Sequence, residues 1–184
     1  MINKIIITLL TFTLLGCSDD PNSQVTGSGH NNSNVSTIEF AAPTNDTLLT
    51  ITGAITQLNS KNELHLDRNA LLQLPQVTVS TTTLWTDGKS EFSGPLLRDI
   101  LSAAGSSAQQ ISAIAANEYA VEIPVDDVQQ YQIILALEKD GKILSIREKG
   151  PLWVIYPWSD HQELRQDKFY SRSIWQLKRI DLHD

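Results

Sequence analysis

Aromatic and cationic side chains are concentrated in the last third of the chain and around Trp85. An indole or phenol ring beside an arginine or a lysine can hold a flat heteroaromatic ligand, by stacking and by directed hydrogen bonds. The same residue types also fill ordinary hydrophobic cores, and for two or three of these residues we expect that role. The group consists of Trp85, Arg147, Lys149, Trp153, Tyr156, Trp158, Tyr170, Arg172 and Trp175.

A run of hydroxyl side chains precedes Trp85 in the stretch VTVSTTTLWTDG, which begins at Val77. Its first half alternates apolar β-branched residues with hydroxyls, and this alternation predicts a buried β-strand. The strand leads into Thr81, Thr82 and Thr83, just before the indole. This strand end offers no strong nucleophile, metal cluster or acid pair, so the pattern alone does not identify its role.

Other catalytic chemistries lack the residues that they need. The motif G-x-S-x-G is absent, and the sequence contains no glycine-rich phosphate loop. Asp160, His161 and Glu163 lie close together in the sequence. Residues at this spacing point in different directions around a helix, so they would not converge on one zinc ion. We expect a solvated loop at this position.

The N-terminus resembles a bacterial lipoprotein signal. Lys4 precedes an apolar run from Ile5 to Leu15, which is too short for a permanent membrane-spanning helix. The run continues into LLGC, which resembles a lipobox, in which Cys17 would be lipidated and become the mature N-terminus. A plain signal peptide or a free buried cysteine is the alternative. We therefore expect a signal peptide at residues 1–16 and a protein held by acyl chains on the periplasmic face of the inner or the outer membrane.

The residues after this signal limit the possible chemistry further. Residues 17–37 are rich in Ser, Asn, Gly and Asp, which predicts a flexible tether, and we expect no ligand role for His30 within it. Cys17 is the only cysteine, so its lipidation would leave the folded part without a thiol. The formal net charge of −7 argues against a nucleic-acid partner, because phosphate binding needs many lysines and arginines.

Residues 38–184 predict one strand-rich α+β domain with short helices. Asp67 is expected to cap a helix in DRNALLQLP, and Ser93 and Pro95 are expected to begin the helix in SGPLLRDILSAAG. The dipeptide Asp140-Gly141 predicts the tip of a hairpin in QIILALEKDGKILSI. A helical turn is expected in PVDDVQQY, and strands are expected in TLLTITGAI, QVTVSTTTLW, ISAIAA, YAVEI, GPLWVIYP and SRSIWQLKRIDL.

Four successive segments of the chain are similar to the molybdopterin-binding domain of the sulfite oxidase family. They read SEFSGPLLRDILSAAG, NEYAVEIPVDDV, QIILALEKDGKILSIREKGPLWVIYP and SRSIWQLKRI. The resemblance extends from Thr47 to Leu182 in order and without large gaps. It implies the fold of the sulfite oxidase catalytic domain, an α+β arrangement of mixed sheets with short helices.

The same resemblance identifies departures from the oxidoreductases. In those enzymes a cysteine near the end of the corresponding strand binds molybdenum, and in bacterial members a tryptophan follows it four residues later. This spacing places Thr81 at the cysteine position, and a neutral hydroxyl cannot replace a soft thiolate on such a metal. A family lysine of the closing strand corresponds to Trp175 or Gln176. The arginine that follows G-x-P in the enzymes is missing from Leu152-Trp153-Val154.

We therefore predict a non-catalytic module that binds a pterin or a similar heterocycle, with molybdopterin disfavoured and no molybdenum expected. A resemblance to cysteine-less periplasmic pterin-responsive regulators implies a membrane-bound sensor protein of a cyclic di-GMP pathway as the partner. Two alternatives stay open: a molybdopterin-dependent oxidoreductase without a cysteine ligand, and a structural or interaction lipoprotein with a vestigial, filled pocket. The expected ligand-binding residues are Thr81, Thr82, Thr83, Trp85, Arg147, Lys149, Trp153, Tyr170, Arg172, Ser173 and Trp175.

Overall fold

A computed structural model describes residues 38–184 of the chain. The predicted signal peptide (residues 1–16), the lipidation site Cys17 and the tether (residues 17–37) with His30 lie outside the described residues. Among residues 38–184, no helix combines the length and the apolar character that crossing a membrane requires.

Short strands predominate in the described part of the chain, which confirms the predicted α+β class. The strands are β1 (Leu49–Gly53), β2 (Leu64–Leu66), β3 (Gln76–Thr82), β4 (Lys89–Pro95), β5 (Gln110–Ala115), β6 (Ala120–Pro124), β7 (Ile134–Ala136), β8 (Glu138–Lys139), β9 (Lys142–Ile143), β10 (Trp153–Ile155) and β11 (Leu177–His183). The helices are α1 (Arg68–Gln73), α2 (Leu97–Ala103), α3 (Val125–Gln130) and α4 (Asp167–Arg172), with 3₁₀ turns at Ile146–Glu148 and Gln162–Leu164.

The largest sheet has five strands in the order β2-β1-β11-β5-β6. β1 and β11 pair in parallel, and the other neighbours pair antiparallel. Side chains alternate between the two faces of a strand, so the buried residues of neighbouring strands face the core together. Ile51 lies opposite Ile180, and Leu182 lies opposite Ile111, and all four side chains are buried. This pairing brings the end of the chain next to the first strand of the domain.

A second sheet has the order β3-β4-β8-β9, and a separate pair joins β10 to β7. Gly94 in β4 lies so close to β7 that an added Cβ would collide with the backbone carbonyl of Leu135. Only a residue without a side chain permits this approach. The contact packs the β7–β10 pair against β4, and it brings the ring of Trp153 within 5.4 Å of the ring of Phe92.

Several predicted elements are confirmed. Asp67 caps α1, where its carboxylate accepts the backbone N–H of Ala70 at 2.9 Å. Asp140 and Gly141 form the tip between β8 and β9, and both have positive φ angles, as the tight turn requires. The predicted strands ISAIAA and YAVEI form the adjacent pair β5–β6, and PVDDVQQY contains α3.

The prediction that Ser93 and Pro95 begin the second helix is wrong. β4 continues through Pro95, which pairs with Gln76, and Ser93 lies inside the same ladder opposite Thr78. The Ser93 hydroxyl bonds to the Thr78 hydroxyl at 2.9 Å, so it is not available as a cap. The helix begins at Leu97 instead, without a side-chain hydrogen bond at its N-terminus.

The predicted strands around the aromatic residues are shorter in the structure. β3 ends at Thr82, and a turn follows that contains Trp85. The prediction of one strand across SRSIWQLKRIDL is wrong before Leu177. α4 continues to Arg172, and the next residues pair with β10, because Ile174 accepts the backbone N–H of Val154 at 2.9 Å. Gln176 then has a φ of 51°, which breaks the extended backbone before β11.

The cap at Asp67 predicts a pH-dependent contribution to stability. Its hydrogen bond to the backbone of Ala70, helped by Asn45 and opposed by burial, lowers the pKa of the Asp67 carboxyl. The charged form therefore stabilises the fold above the unfolded-state pKa of about 3.9, and this contribution is lost as the pH falls through the lower folded-state pKa. We expect Asp67→Ala to reduce the free energy of unfolding at pH 7 by about 1 kcal/mol, measured by urea denaturation.

The matched control is Asp67→Asn, because asparagine also caps helices and should retain most of the stability at pH 7. The difference between the Ala variant and the unaltered protein should shrink between pH 5 and pH 3, roughly the range in which an aspartate titrates. An equal difference at both ends of this range would show that the carboxylate charge contributes nothing.

Candidate functional site

A pocket of about 410 Å³ opens where the β5–β6 turn faces the segment between α4 and β11. This volume lies in the range of small-molecule binding sites. Four aromatic side chains and several amides and hydroxyls form its wall, and no Asp, Glu, Lys, Arg or His side chain lines it. We call it the aromatic pocket. Its lining residues are Trp85, Ala115, Asn117, Tyr119, Tyr170, Ser171, Ser173, Ile174, Trp175 and Gln176.

Three tryptophans pack edge to face beside the aromatic pocket. The ring of Trp85 lies 5.3 Å from that of Trp175 and 6.0 Å from that of Trp153, between centroids. Trp153 is buried in the core, whereas Trp85 and Trp175 reach the pocket. The predicted stacking residues are therefore brought together, but Trp153 supports the other two from behind and does not line the pocket.

The wall segment from Ser173 to Gln176 is fixed by buried hydrogen bonds. The indole N–H of Trp153 donates to the Ser173 hydroxyl at 3.0 Å, and that hydroxyl donates to the backbone carbonyl of Val154 at 2.6 Å. Trp153 and Trp175 also form an isolated β-bridge. The Ser173 hydroxyl therefore already accepts one hydrogen bond and donates another within the fold, so Ser173 is a structural part of the wall.

The predicted cations lie outside the lining. Lys149 places its ammonium group 4.1 Å from the centroid of the Trp175 ring, which is the distance of a cation–π contact. Lys149 has a φ of 71°, and its carbonyl accepts the backbone N–H of Gln176 at 3.1 Å. Arg147 is exposed in the neighbouring 3₁₀ turn. Lys149 therefore borders the pocket through Trp175, whereas Arg147 lies two residues before it in the chain.

Arg172 connects α4 to α3. Its guanidinium donates to the Asp127 carboxylate at 2.7 Å, and the Tyr156 hydroxyl donates to the same oxygen at 3.1 Å. Burial, and then the negative charge of Asp127, raise the pKa of Tyr156, so its phenol stays protonated and remains a donor. Arg172 therefore holds the helix that carries Tyr170, and it does not line the aromatic pocket.

The hydroxyl of Thr81 is buried and fully used within the fold. It accepts the backbone N–H of Ser159 at 3.0 Å, and it contacts the Ser159 hydroxyl at 3.3 Å. In return, the Ser159 hydroxyl accepts the backbone N–H of Thr82 at 3.1 Å. We call this reciprocal arrangement the Thr81–Ser159 clamp. It closes the end of β3 against the loop after β10.

Thr83 shapes the turn that presents Trp85. Its hydroxyl accepts the backbone N–H of Trp85 at 3.1 Å and bonds to the Thr86 hydroxyl at 2.9 Å. None of the three predicted threonines lines the aromatic pocket, and Trp85 is the residue of this stretch that does. The hydroxyl-rich strand end thus positions an aromatic ring instead of contacting the pocket itself.

Six lining residues are absent from the predicted list: Ala115, Asn117, Tyr119, Ser171, Ile174 and Gln176. Asn117 and Tyr119 belong to the β5–β6 turn, where the side-chain carbonyl of Asn117 accepts the backbone N–H of Tyr119 at 3.2 Å. The sequence signal that could have identified this part of the site is a tyrosine two residues after an asparagine in a predicted turn. Its position across the pocket from Trp175 follows only from the pairing of β5 with β11.

The residues around His161 form no metal site. Within residues 38–184, no group of three or more His, Cys, Asp or Glu side chains is arranged to hold a metal ion. His161 lies 3.2 Å from the Glu163 carboxylate, and both side chains are exposed. The predicted solvated character of this segment is consistent with that geometry.

The Thr81–Ser159 clamp predicts that Thr81→Val destabilises the protein. Valine keeps the size and the β-branched shape, but it leaves the partly buried backbone N–H of Ser159 without its acceptor. Loss of such a hydrogen bond costs about 0.5–1.5 kcal/mol, measurable as a lower free energy of unfolding in urea. The control is Thr82→Val, because the Thr82 side chain is exposed, and we expect a change within about 0.5 kcal/mol. Equal effects of the two substitutions would contradict the clamp.

Comparison with known proteins gives a family and a fold. The family model described as oxidoreductase molybdopterin binding domain matches residues 41–160. Among solved structures, the fold is similar to the crystal structure of the sulfane dehydrogenase SoxCD from Paracoccus pantotrophus, with a TM-score of 0.58 and 18% sequence identity. The similarity covers 79% of this chain and 40% of that chain. A comparison with curated protein sequences finds no match.

These findings confirm the predicted family and the sulfite oxidase-like fold. At 18% identity the structural similarity shows the fold alone, and the chain spans 40% of the SoxCD chain that it matches. The family match ends at residue 160, so Tyr170 and Trp175 lie in the part of the fold beyond it. The chain belongs to the oxidoreductase molybdopterin-binding domain family.

Proposed function

We propose that this protein binds an uncharged, unphosphorylated pterin or a similar heterocycle, without catalysis, and signals its binding to a membrane-bound partner. The observation that carries the proposal is the aromatic pocket, with its four rings and uncharged polar groups. A flat ring of hydrogen-bond donors and acceptors suits such a wall, because stacking supplies affinity and the polar groups fix the orientation.

The polar groups of the pocket can match the edges of a pterin. Asn117 uses its side-chain carbonyl within the β5–β6 turn, which leaves its NH₂ group as a donor. Gln176 donates its NH₂ group to the carbonyl of Ile146 at 3.0 Å, which leaves its own side-chain carbonyl as an acceptor. Ser171 donates to the Lys168 carbonyl and can still accept. Donors and acceptors are therefore both present around the rings.

The charge of the lining favours a ligand without phosphate. No cation lines the pocket, and Arg172 is already paired with Asp127. Placing a phosphate in such a wall would bury charge without a partner, which is costly. The ammonium group of Lys149 lies over the Trp175 ring, so its positive charge could neutralise only a negative charge near the pocket mouth.

The metal that the family implies does not fit the residues present. Residues 38–184 contain no cysteine, and the hydroxyl at the predicted ligand position, Thr81, is buried and bonded to Ser159. A soft thiolate ligand is therefore missing, and the available hydroxyl is a hard, neutral and occupied one. This donor set argues against the alternative of a molybdopterin-dependent oxidoreductase, and we assign no catalytic step to the chain.

The location and the partner are parts of the same proposal. The lipobox-like sequence before Cys17 supports a lipoprotein on the periplasmic face of the inner or outer membrane. The resemblance to periplasmic pterin-responsive regulators supports a membrane-bound sensor of a cyclic di-GMP pathway as the partner. A purely structural lipoprotein would have no use for an open pocket of about 410 Å³, so the pocket favours a ligand-binding role.

Titration of metal-free protein with a dihydropterin tests the proposal. We expect saturable quenching of tryptophan fluorescence, because Trp85 and Trp175 line the pocket. Trp175→Ala should weaken binding roughly tenfold or more, since stacking of one base on an aromatic side chain is worth about 1–3 kcal/mol. Isothermal titration calorimetry of the same samples separates binding from a change in fluorescence yield.

The control variant is Leu72→Ala, which removes an exposed apolar side chain of α1 that does not line the pocket. It should bind the dihydropterin as the unaltered protein does. A phosphorylated pterin should bind more weakly than its unphosphorylated form. The absence of a response up to millimolar ligand, or a preference for the phosphorylated form, would contradict the proposal.

A further inference from the structure

Exposed apolar side chains are concentrated around the mouth of the aromatic pocket. Within residues 38–184, seven large hydrophobic side chains are exposed, and five of them line the pocket or lie in the segments next to its lining residues. We call these five the rim. Its residues are Leu84, Tyr119, Ile143, Ile146 and Trp175.

Contacts and the continuity of the chain relate the rim residues to the pocket. Tyr119 and Trp175 line the pocket themselves. Leu84 precedes Trp85, whose ring lies 5.3 Å from that of Trp175. The carbonyl of Ile146 accepts the side-chain NH₂ of Gln176 at 3.0 Å, next to Trp175. Ile143 ends β9, three residues before Ile146.

The exposure of these side chains is large. Ile146 is 72% exposed, Leu84 64% and Ile143 61%. Single exposed apolar residues are normal on a protein surface, but a group of them around one opening is typical of an interaction site. Burial of three such aliphatic side chains against a partner would remove a substantial apolar area from water.

The charges beside the rim indicate the chemistry of the partner. Lys142, Arg147 and Lys149 are all in the segment that carries Ile143 and Ile146, and none of the three forms an ion pair among the described residues. Glu148 is the one acid between Lys142 and Lys149. Residues 142–149 therefore carry a local excess of cations, in contrast to the net charge of −7 for the whole chain, whereas Asp87 and Glu118 follow and precede the rim residues Leu84 and Tyr119.

We propose that the rim docks a second protein through an acidic and partly apolar surface. Opposite charges would steer the encounter, and the apolar side chains would supply the buried centre of the interface. A second copy of this chain is a different occupant, which the crosslinking experiment below would reveal as an adduct of two identical chains. The inference rests on the proposed partner-dependent function and assigns a surface to it.

The rim is connected to the pocket wall by three contacts. The backbone N–H of Gln176 donates to the carbonyl of Lys149, and the side-chain NH₂ of Gln176 donates to the carbonyl of Ile146. The ammonium group of Lys149 lies over the Trp175 ring. A ligand that contacts Trp175 and Gln176 therefore acts on the residues that face the partner, so that occupancy of the pocket changes the affinity for it.

Photocrosslinking of the full chain in cells of its native host tests this surface. Benzoylphenylalanine at position 146 should give an adduct with a membrane protein, and the linked peptide should lie beside Asp or Glu residues. The same probe at position 72, which replaces the exposed Leu72 far from the rim in sequence, should give none. The double substitution Lys142→Glu with Arg147→Glu should reduce the adduct at position 146 at least tenfold.

The matched control is Lys61→Glu with Lys178→Glu, which changes the net charge equally at exposed positions outside the rim. It should leave the adduct intact, and all variants should keep the thermal midpoint of the unaltered protein. No adduct, an adduct with a second copy or with lipid alone, or an adduct that survives charge reversal at 142 and 147 would overturn the proposed surface.

The two proposals can fail separately. Dihydropterin titration of the unaltered protein tests the ligand without any partner. A normal titration with no adduct at position 146 would overturn the docking surface alone. An adduct with the expected charge dependence, in a protein that gives no pterin response, would overturn the proposed ligand and leave the surface in place.

Discussion

The Thr81–Ser159 clamp determines what the end of β3 can do. The Thr81 hydroxyl accepts one backbone N–H, and the Ser159 hydroxyl accepts another, so the two side chains join the backbones of two separate segments. The buried Thr81 hydroxyl cannot also bind a metal or a ligand without giving up its hydrogen bond to Ser159. The strand end therefore has a structural role, and the turn after it carries the first aromatic side chain of the pocket.

The pocket exists because the chain leaves α4 along β10 before it enters the large sheet. Ser173 and Ile174 bond to Val154, and the left-handed backbone at Gln176 turns the chain into β11. Trp175 is held between these points and remains 36% exposed. A wall built from backbone pairing is rigid, which suits the proposed recognition of a flat ring. The ion pair of Arg172 with Asp127 fixes the other end of the wall.

The fold was largely predictable from the sequence, and the site was predictable in part. The cap at Asp67 and the turn at Asp140-Gly141 depend on local chemistry, so the pattern of residues was sufficient. The roles of Thr81, Trp153 and Arg172 could not be assigned in this way, because their partners Ser159, Ser173 and Asp127 are separated from them by many residues. Tyr119 was missed for the same reason, since the pairing of β5 with β11 places its turn beside Trp175.

The central claim is that this family member holds a ring without a metal, and the composition of protein from its native host tests it most directly. Mature protein would be purified without added cofactor, and the released small molecules and the bound metals would be quantified in one sample. We predict an unphosphorylated heterocycle of the pterin class at up to one molecule per chain, with molybdenum far below that level. Molybdopterin with an equal amount of molybdenum would contradict the claim.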